Sequence, residues 1–265
     1  MIKVILWDID ATILDFLAAE EAAIRFCFKK HGLGECTDEM LARYSLINRR
    51  YWEMLERGEM SKADILVNRF KEFFASEGIE TDCAENFNAD YQVALGDTIC
   101  FRDNGYELVK KLKDDYRQYV VTNGTYIAQE RKLRKSGIGE LVEEAFISDL
   151  IGYEKPAIEF FDYVFEKIGH YHKDEVMIVG DSLTSDIKGG NNAGILCCWY
   201  NPLNLENKTK IKTKIKSYDG VIDVHDLSVY CYGPNKYFAS AHIEVDASVD
   251  VLVSHELIDD IERDF

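Results

Sequence analysis

Two aspartates two positions apart, Asp8 and Asp10, follow the apolar run Val4 to Trp7, with Thr12 just beyond them. Side chains two apart on an extended strand share a face, and at a strand's end both can turn toward one crevice. There, one carboxylate can attack phosphorus and bind a hard cation. The other can pass a proton to the leaving oxygen and take one back from water. Taken singly, a D-x-D pair is more often a turn or a helix cap, so the rest of the chain must supply its context.

Three further groups supply it. Thr122, Asn123 and Gly124 close the run Tyr119 to Val121. They offer a hydroxyl, an amide and a freed backbone, suited to phosphate oxygens at a helix start. Thr122 on its own reads as a helix N-cap, a role compatible with phosphate binding. Lys155, between Glu154 and Pro156, is placed just before a helix and suits the neutralisation of a transferring phosphoryl group. Gly180, Asp181 and Ser182 close the run Val176 to Val179, with Asp186 and the pair Gly189 and Gly190 following. Magnesium prefers one or two carboxylates with several retained waters. Asp8, the backbone carbonyl of Asp10 and Asp181 therefore make a coherent metal shell, with Asp186 behind it. Each group has an ordinary structural reading; the four together, in this order, point to one site.

The elements that must position these groups are legible as a pattern. Short apolar runs at Val4 to Trp7, Tyr119 to Val121, Val176 to Val179 and Ile195 to Trp199 read as buried parallel strands. Helical patterns at Tyr106 to Lys113, Thr125 to Ser136 and Ile158 to Ile168 alternate with them. The fold class is α/β, a Rossmann-like doubly wound parallel sheet whose ligands bind at the carboxyl ends of the strands. Helical stretches at Ala18 to Lys30, Asp38 to Arg57, Lys62 to Ser76 and Cys83 to Leu95 imply a helical insertion after the first strand. From Lys208 the character changes. Lys208, Lys210, Lys212, Lys214 and Lys216 alternate with Thr and Ile, which predicts a solvated edge strand or linker. Strand-like segments follow at Val221 to Val224 and Phe238 to Val245, giving a small α+β segment.

At 265 residues and 47% apolar content, the chain can bury a large core and a smaller one. Its seven cysteines are scattered without a C-x-x-C pair, so neither a zinc knuckle nor a disulfide framework is expected, and a cytoplasmic location fits. No signal pattern or membrane-length apolar run is seen. A formal charge of −17 argues against a nucleic-acid polymer as partner, and a phosphorylated substrate would need a local positive pocket inside an acidic body.

The ordered set Asp8-x-Asp10-x-Thr12, Thr122-Asn123-Gly124, Lys155-Pro156 and Gly180-Asp181-Ser182 with Asp186 resembles the haloacid dehalogenase superfamily over residues 1 to 212. The resemblance implies a catalytic core at 1–15 and 101–212 and a helical cap at 16–100. It implies that Asp8 forms an aspartyl-phosphate, Asp10 is general acid and then base, Thr122 and Lys155 hold the phosphoryl group, and Asp181 binds Mg2+. Dehalogenases of the superfamily lack the second aspartate, so Asp10 points to phosphate chemistry. Ala11 departs from the Gly or acidic residue usual in relatives, and the backbone must still turn there. In the insertion, Tyr44, Ile47, Asn48, Trp52, Glu56, Gly58, Met60, Lys62 and Arg69-Phe70, together with Cys198 to Pro202, resemble bacterial 5′-nucleotidases acting on pyrimidine and modified nucleoside monophosphates. Phe16 or Trp52 would then stack a base, although packing between cap helices explains Trp52 equally well. A sugar-phosphate phosphatase or phosphomutase of the same superfamily is the alternative.

Residues 213–265 resemble a truncated cytoplasmic domain of cation diffusion facilitator transporters, carried by Val224-His225-Asp226-Leu227, Phe238 to Val245 and Ser254-His255-Glu256-Leu257. The resemblance implies that His225, His242 and His255 can bind zinc or a related cation. With the family's last strand missing, structural padding or dimerisation is expected ahead of metal binding, and a metal-binding interaction protein is the remaining alternative.

Overall fold

A computed structural model describes residues 1–202, 208–231, 237–245 and 257–261. The chain divides into two compact units, Met1–Tyr200 and Asn201–Phe265. In the first, five parallel strands, β1 (Val4–Trp7), β2 (Arg117–Thr122), β3 (Glu144–Ile147), β4 (Val176–Gly180) and β5 (Leu196–Trp199), form one sheet in the order β3-β2-β1-β4-β5. All four residues of β1 are buried, as expected of a central strand covered on both faces. Its alternate side chains serve two cores. Val4 and Leu6 join Tyr119, Val121, Ile178, Phe160 and Phe161 on one side. Ile5 and Trp7 join Val109, Val120, Leu133 and Ile138 on the other. Leu6 pairs with Tyr119 and with Ile178, so the carboxyl ends of β2, β1 and β4 emerge side by side.

Helices α1 (Phe16–His31), α2 (Asp38–Glu56), α3 (Lys62–Ser76) and α4 (Ala84–Asp97) are the inserted segment. They are followed by α5 (Gly105–Leu112), α6 (Tyr126–Ser136), α7 (Ser148–Ile151), α8 (Ile158–Ile168) and α9 (Lys188–Ala193) around the sheet. Asp15, Thr37 and Ser61 cap the first three, each accepting a backbone N–H one turn on. The insertion has its own aromatic core: Tyr44 and Phe70 stack with ring centroids 5.2 Å apart, and Phe28, Phe73, Phe74, Phe87 and Tyr91 surround them. A polar seam crosses it. Asn48 donates to Glu20 at 2.7 Å, and Arg69 donates to Asn48 at 2.6 Å and to Asn88 at 3.1 Å. Gln92 donates to Asn88 at 3.1 Å and accepts from Thr125 at 2.7 Å, which carries the seam to the start of α6. The Arg69 guanidinium also lies 4.9 Å from the Phe70 ring centroid and 5.2 Å from that of Tyr91.

The second unit contains α10 (Lys208–Lys216) and the antiparallel pair β6 (Val221–Cys231) and β7 (Tyr237–Val245). The lysine run expected as an edge strand or linker is thus a helix. Ile211 and Ile215, four apart, share one helical face and are buried with Val224 and Ile261. Alternation at period two and recurrence at four coincide in this repetitive stretch, and burial of the isoleucines decides between them. Among the described residues, no helix is long and apolar enough to cross a membrane.

Candidate active site

The centre of the site is Lys155, which is buried just ahead of α8. Its Nζ donates to Asp8 Oδ1 at 2.8 Å, to Asp186 Oδ1 at 2.6 Å and to the carbonyl of Val121 at 2.8 Å. Burial would lower its pKa, but the charges of Asp186 and Asp8 outweigh that and hold the ammonium protonated. Its backbone is fixed as well. Asn123 donates to the Lys155 carbonyl and accepts the Lys155 N–H, both at 2.8 Å, tying the end of β2 to the end of the loop before α8.

Asp8 follows β1 directly and its N–H is bonded to Val179 at 2.9 Å. Thr12 Oγ1 lies 3.1 Å from Asp8 Oδ2 and 3.1 Å from Asp181 Oδ1, and accepts the Asp181 N–H at 3.1 Å. One hydroxyl proton thus serves two carboxylates in turn. Trp199 donates to the Asp181 carbonyl at 2.9 Å. Asp186 spends its second oxygen on the Ser182 N–H at 3.0 Å. Gly180 is required beside it, because a Cβ there would sit 2.3 Å from the Asp186 carboxyl carbon.

Burial pushes Asp8 well above the ordinary carboxylate range; Lys155 opposes this, and Asp186 and Asp181 reinforce it. Burial, followed by the charge of Asp186, pushes Asp181 up to about 7. Asp8, Asp181 and Asp186 each present an oxygen within 4.8 Å of the others. Three clustered carboxylates facing one lysine leave buried negative charge short of positive charge, and an all-oxygen donor set of this kind suits a hard divalent cation such as Mg2+. The residues present fit that group.

Asp10 faces another way. Its carboxylate is held by two residues that the motifs did not reveal: Gln129 Nε2 donates to Oδ2 at 2.7 Å, and Lys132 Nζ bonds Oδ1. Both belong to α6, three residues apart on one face. Their only sequence signal was polarity on a helix, which usually means a solvent-exposed face. Thr122 is the last residue of β2 and does not cap α6; that role falls to Thr125, which accepts the Ala128 N–H, while Thr122 Oγ1 accepts the Gly124 N–H at 3.1 Å.

Ala11 adopts φ +65°, with its N–H bonded to Leu14 at 2.8 Å and its carbonyl to Arg102 at 3.3 Å. A side chain in the left-handed region costs about 1 kcal/mol more than glycine does, after allowance for the greater freedom of glycine in the unfolded chain. Ala11→Gly is therefore expected to stabilise the protein by about that amount, read as a higher urea midpoint at unchanged slope. A lower midpoint would contradict the strain.

Beside Asp10, a crevice is lined by Phe16, Trp52, Arg69 and Gln92 from the insertion and by Gly124 and Gln129 from the sheet side. Trp52 lines this crevice and also packs against Tyr51, Leu55 and Ile65. In the second unit, His225 lies 3.1 Å from Glu244 and 3.5 Å from Asp223, and faces His242 across the β6–β7 pair. His255 lies outside the described residues.

Comparison with known proteins agrees with this fold. The family model of haloacid dehalogenase-like hydrolases matches residues 2–194, and that of the cation efflux protein cytoplasmic domain matches residues 203–265. HAD-hydrolase YfnB of Bacillus subtilis (strain 168) is 36% identical over 217 residues, covering 82% of this chain and 90% of the relative. A crystal structure of YfnB bound to magnesium superposes with a TM-score of 0.72, covering 76% of this chain and 89% of the other. Pyrimidine 5′-nucleotidase PynA of Streptococcus pneumoniae (strain ATCC BAA-255 / R6) is 34% identical over 231 residues, covering 86% of this chain and 96% of the relative.

Proposed function

Because the chain belongs to the haloacid dehalogenase-like hydrolases, we propose that it is a magnesium-dependent phosphatase of small phosphomonoesters, specifically a nucleoside 5′-monophosphate nucleotidase working through an aspartyl-phosphate on Asp8. One observation carries the reading: Lys155, Thr12, Asp181 and Asp186 converge on Asp8, while Asp10 stands apart on its own supports at the mouth of the crevice. A nucleophile and a proton carrier are thereby separated by environment. The similarity to PynA, whose name specifies pyrimidine nucleotides, supports the substrate class.

In the first half-reaction an Asp8 carboxylate oxygen bonds to phosphorus, the ester P–O bond breaks, and Asp10 delivers its proton to the leaving oxygen. In the second, water attacks the same phosphorus, Asp10 takes the proton from that water, and the Asp8–phosphorus link breaks to release inorganic phosphate. Thr122 and Lys155 hold the phosphoryl oxygens, with Asn123 fixing the Lys155 backbone. Asp8, the backbone carbonyl of Asp10 and Asp181, with Asp186 behind them, would hold magnesium, which would supply positive charge to offset the phosphoryl oxygens. The inserted helices act as a cap over the crevice, where Phe16 and Trp52 stack the base. None of these residues belongs to the second unit, for which dimerisation is favoured over metal sensing because, among the described residues, no three His, Cys, Asp or Glu ligand atoms come together there.

A phosphate-release screen over nucleoside monophosphates and sugar phosphates tests the reading. Pyrimidine nucleoside 5′-monophosphates are expected among the best substrates. No phosphate from any nucleotide, or isomerised sugar phosphates in place of free phosphate, would refute it.

A further inference from the structure

Gln129 is buried, 1% exposed, yet it belongs to the lining of the crevice. Its amide is oriented by the resting site, in which Asp10 is paired with the Lys132 ammonium. A carboxylate only accepts hydrogen bonds, so the end that meets Asp10 Oδ2 at 2.7 Å must be the NH2 group, and the carbonyl oxygen Oε1 is the other end. That oxygen has no hydrogen-bond partner among the described residues. Buried acceptors are normally paired, so an orphan next to a catalytic group calls for a reason. The other buried orphans among the described residues are the hydroxyls of Tyr44 and Tyr91 and one oxygen of Glu56, and none of those residues lines the crevice. Two other polar residues of the crevice are engaged: Arg69 with Asn48 and Asn88, Gln92 with Asn88 and Thr125. Gly124 makes room for this amide, since a Cβ at 124 would lie 2.0 Å from Gln129 Nε2.

We infer that Gln129 determines specificity: its Oε1 accepts a hydrogen bond from a hydroxyl of the leaving alcohol, a few carbons from the ester oxygen. This rests on the phosphatase reading above. The position of the hydroxyl follows from the geometry. Asp10 serves the ester oxygen and is bonded to one end of the amide, so the other end can reach only groups near that oxygen. In a nucleoside 5′-monophosphate the matching group is the 3′-hydroxyl of the sugar. The site therefore selects phosphates of polyols over those of simple alcohols, because an analogue lacking the hydroxyl leaves the buried acceptor unpaired in the transition state as well.

The test uses the full chain with magnesium and two substrates that differ in that hydroxyl alone, 2′-deoxyuridine 5′-monophosphate and 2′,3′-dideoxyuridine 5′-monophosphate. The wild-type protein is expected to prefer the first by about tenfold or more in kcat/KM. Gln129→Met should slow both, since Asp10 loses a support, and should bring the ratio close to one. A wild-type ratio within about twofold of unity overturns the inference, as does a preference that survives in Gln129→Met. Should that variant not fold, the wild-type pair decides by itself. Release of phosphate from neither nucleotide would instead bring down the nucleotidase reading beneath it.

Discussion

Asp8→Asn is expected to lose phosphate release by at least about 10⁴-fold while keeping, or slightly raising, the stability of the metal-free protein. The two halves of this result have separate causes. Activity goes because an amide cannot form the acyl phosphate, and neither Asp181 nor Asp186 can substitute: Asp186 is tied at both oxygens, to Lys155 and to the Ser182 N–H. Stability stays because burial already disfavours the ionised form of Asp8, with Asp186 and Asp181 adding repulsion. Asparagine resembles the protonated acid that this environment prefers. Lys155 keeps its bonds to Asp186 and the Val121 carbonyl, and the asparagine oxygen can still accept from it. Phosphate release and thermal unfolding of the same preparation check both parts. Retention of more than roughly 1% of the wild-type rate would remove Asp8 from the nucleophile's role. A marked loss of stability would show that its negative charge holds the fold together.

The residues of the site were readable in the sequence where chemistry and strand ends coincide. Asp8, Thr122 and Asp181 each sit where an apolar run stops, and parallel sheets place such points together at one edge. The inserted helices were legible for a different reason: four helical stretches follow one another between Ala18 and Leu95, and in the fold Thr37 and Ser61 cap the second and third of them. What escaped notice was decided by packing. β3 is four residues long, and Glu144 at its start is exposed, so nothing in Glu144 to Ile147 outweighs a loop until β2 pairs with it. Gln129 and Lys132 look like surface positions of an ordinary polar helix, and only the fold brings Asp10 above them. Two threonines three apart, Thr122 and Thr125, compete as the cap of α6. β2 runs through Thr122, which leaves the cap to Thr125.

Magnesium is expected to stabilise the protein strongly above pH 7 and little near pH 5. Asp181 has its folded-state pKa raised from 3.8 to about 7, and Asp8 is raised in the same direction. Between these values the folded state holds a proton that the unfolded state has released. Without metal, the Asp181 contribution to stability therefore falls as pH climbs from about 4 to about 7 and then levels, by roughly 4 kcal/mol at most, and Asp8 adds to the fall. Carboxylates with lowered values, such as Glu143 beside Arg117 and Asp97 beside Arg131, act with the opposite sign, and their loss is confined to pH below the ordinary carboxylate range. A cation bound by Asp8 and Asp181 competes with their protons, so its stabilising effect grows over the same window in which the metal-free protein weakens. Melting temperatures from pH 5 to pH 8, with magnesium and with a chelator, measure the difference directly. The two curves should separate as pH rises and should stay together in Asp181→Asn. Equal magnesium shifts at pH 5 and pH 8 would place the cation away from these carboxylates, because no other arrangement of the described acidic residues brings three oxygens within 4.8 Å of one another.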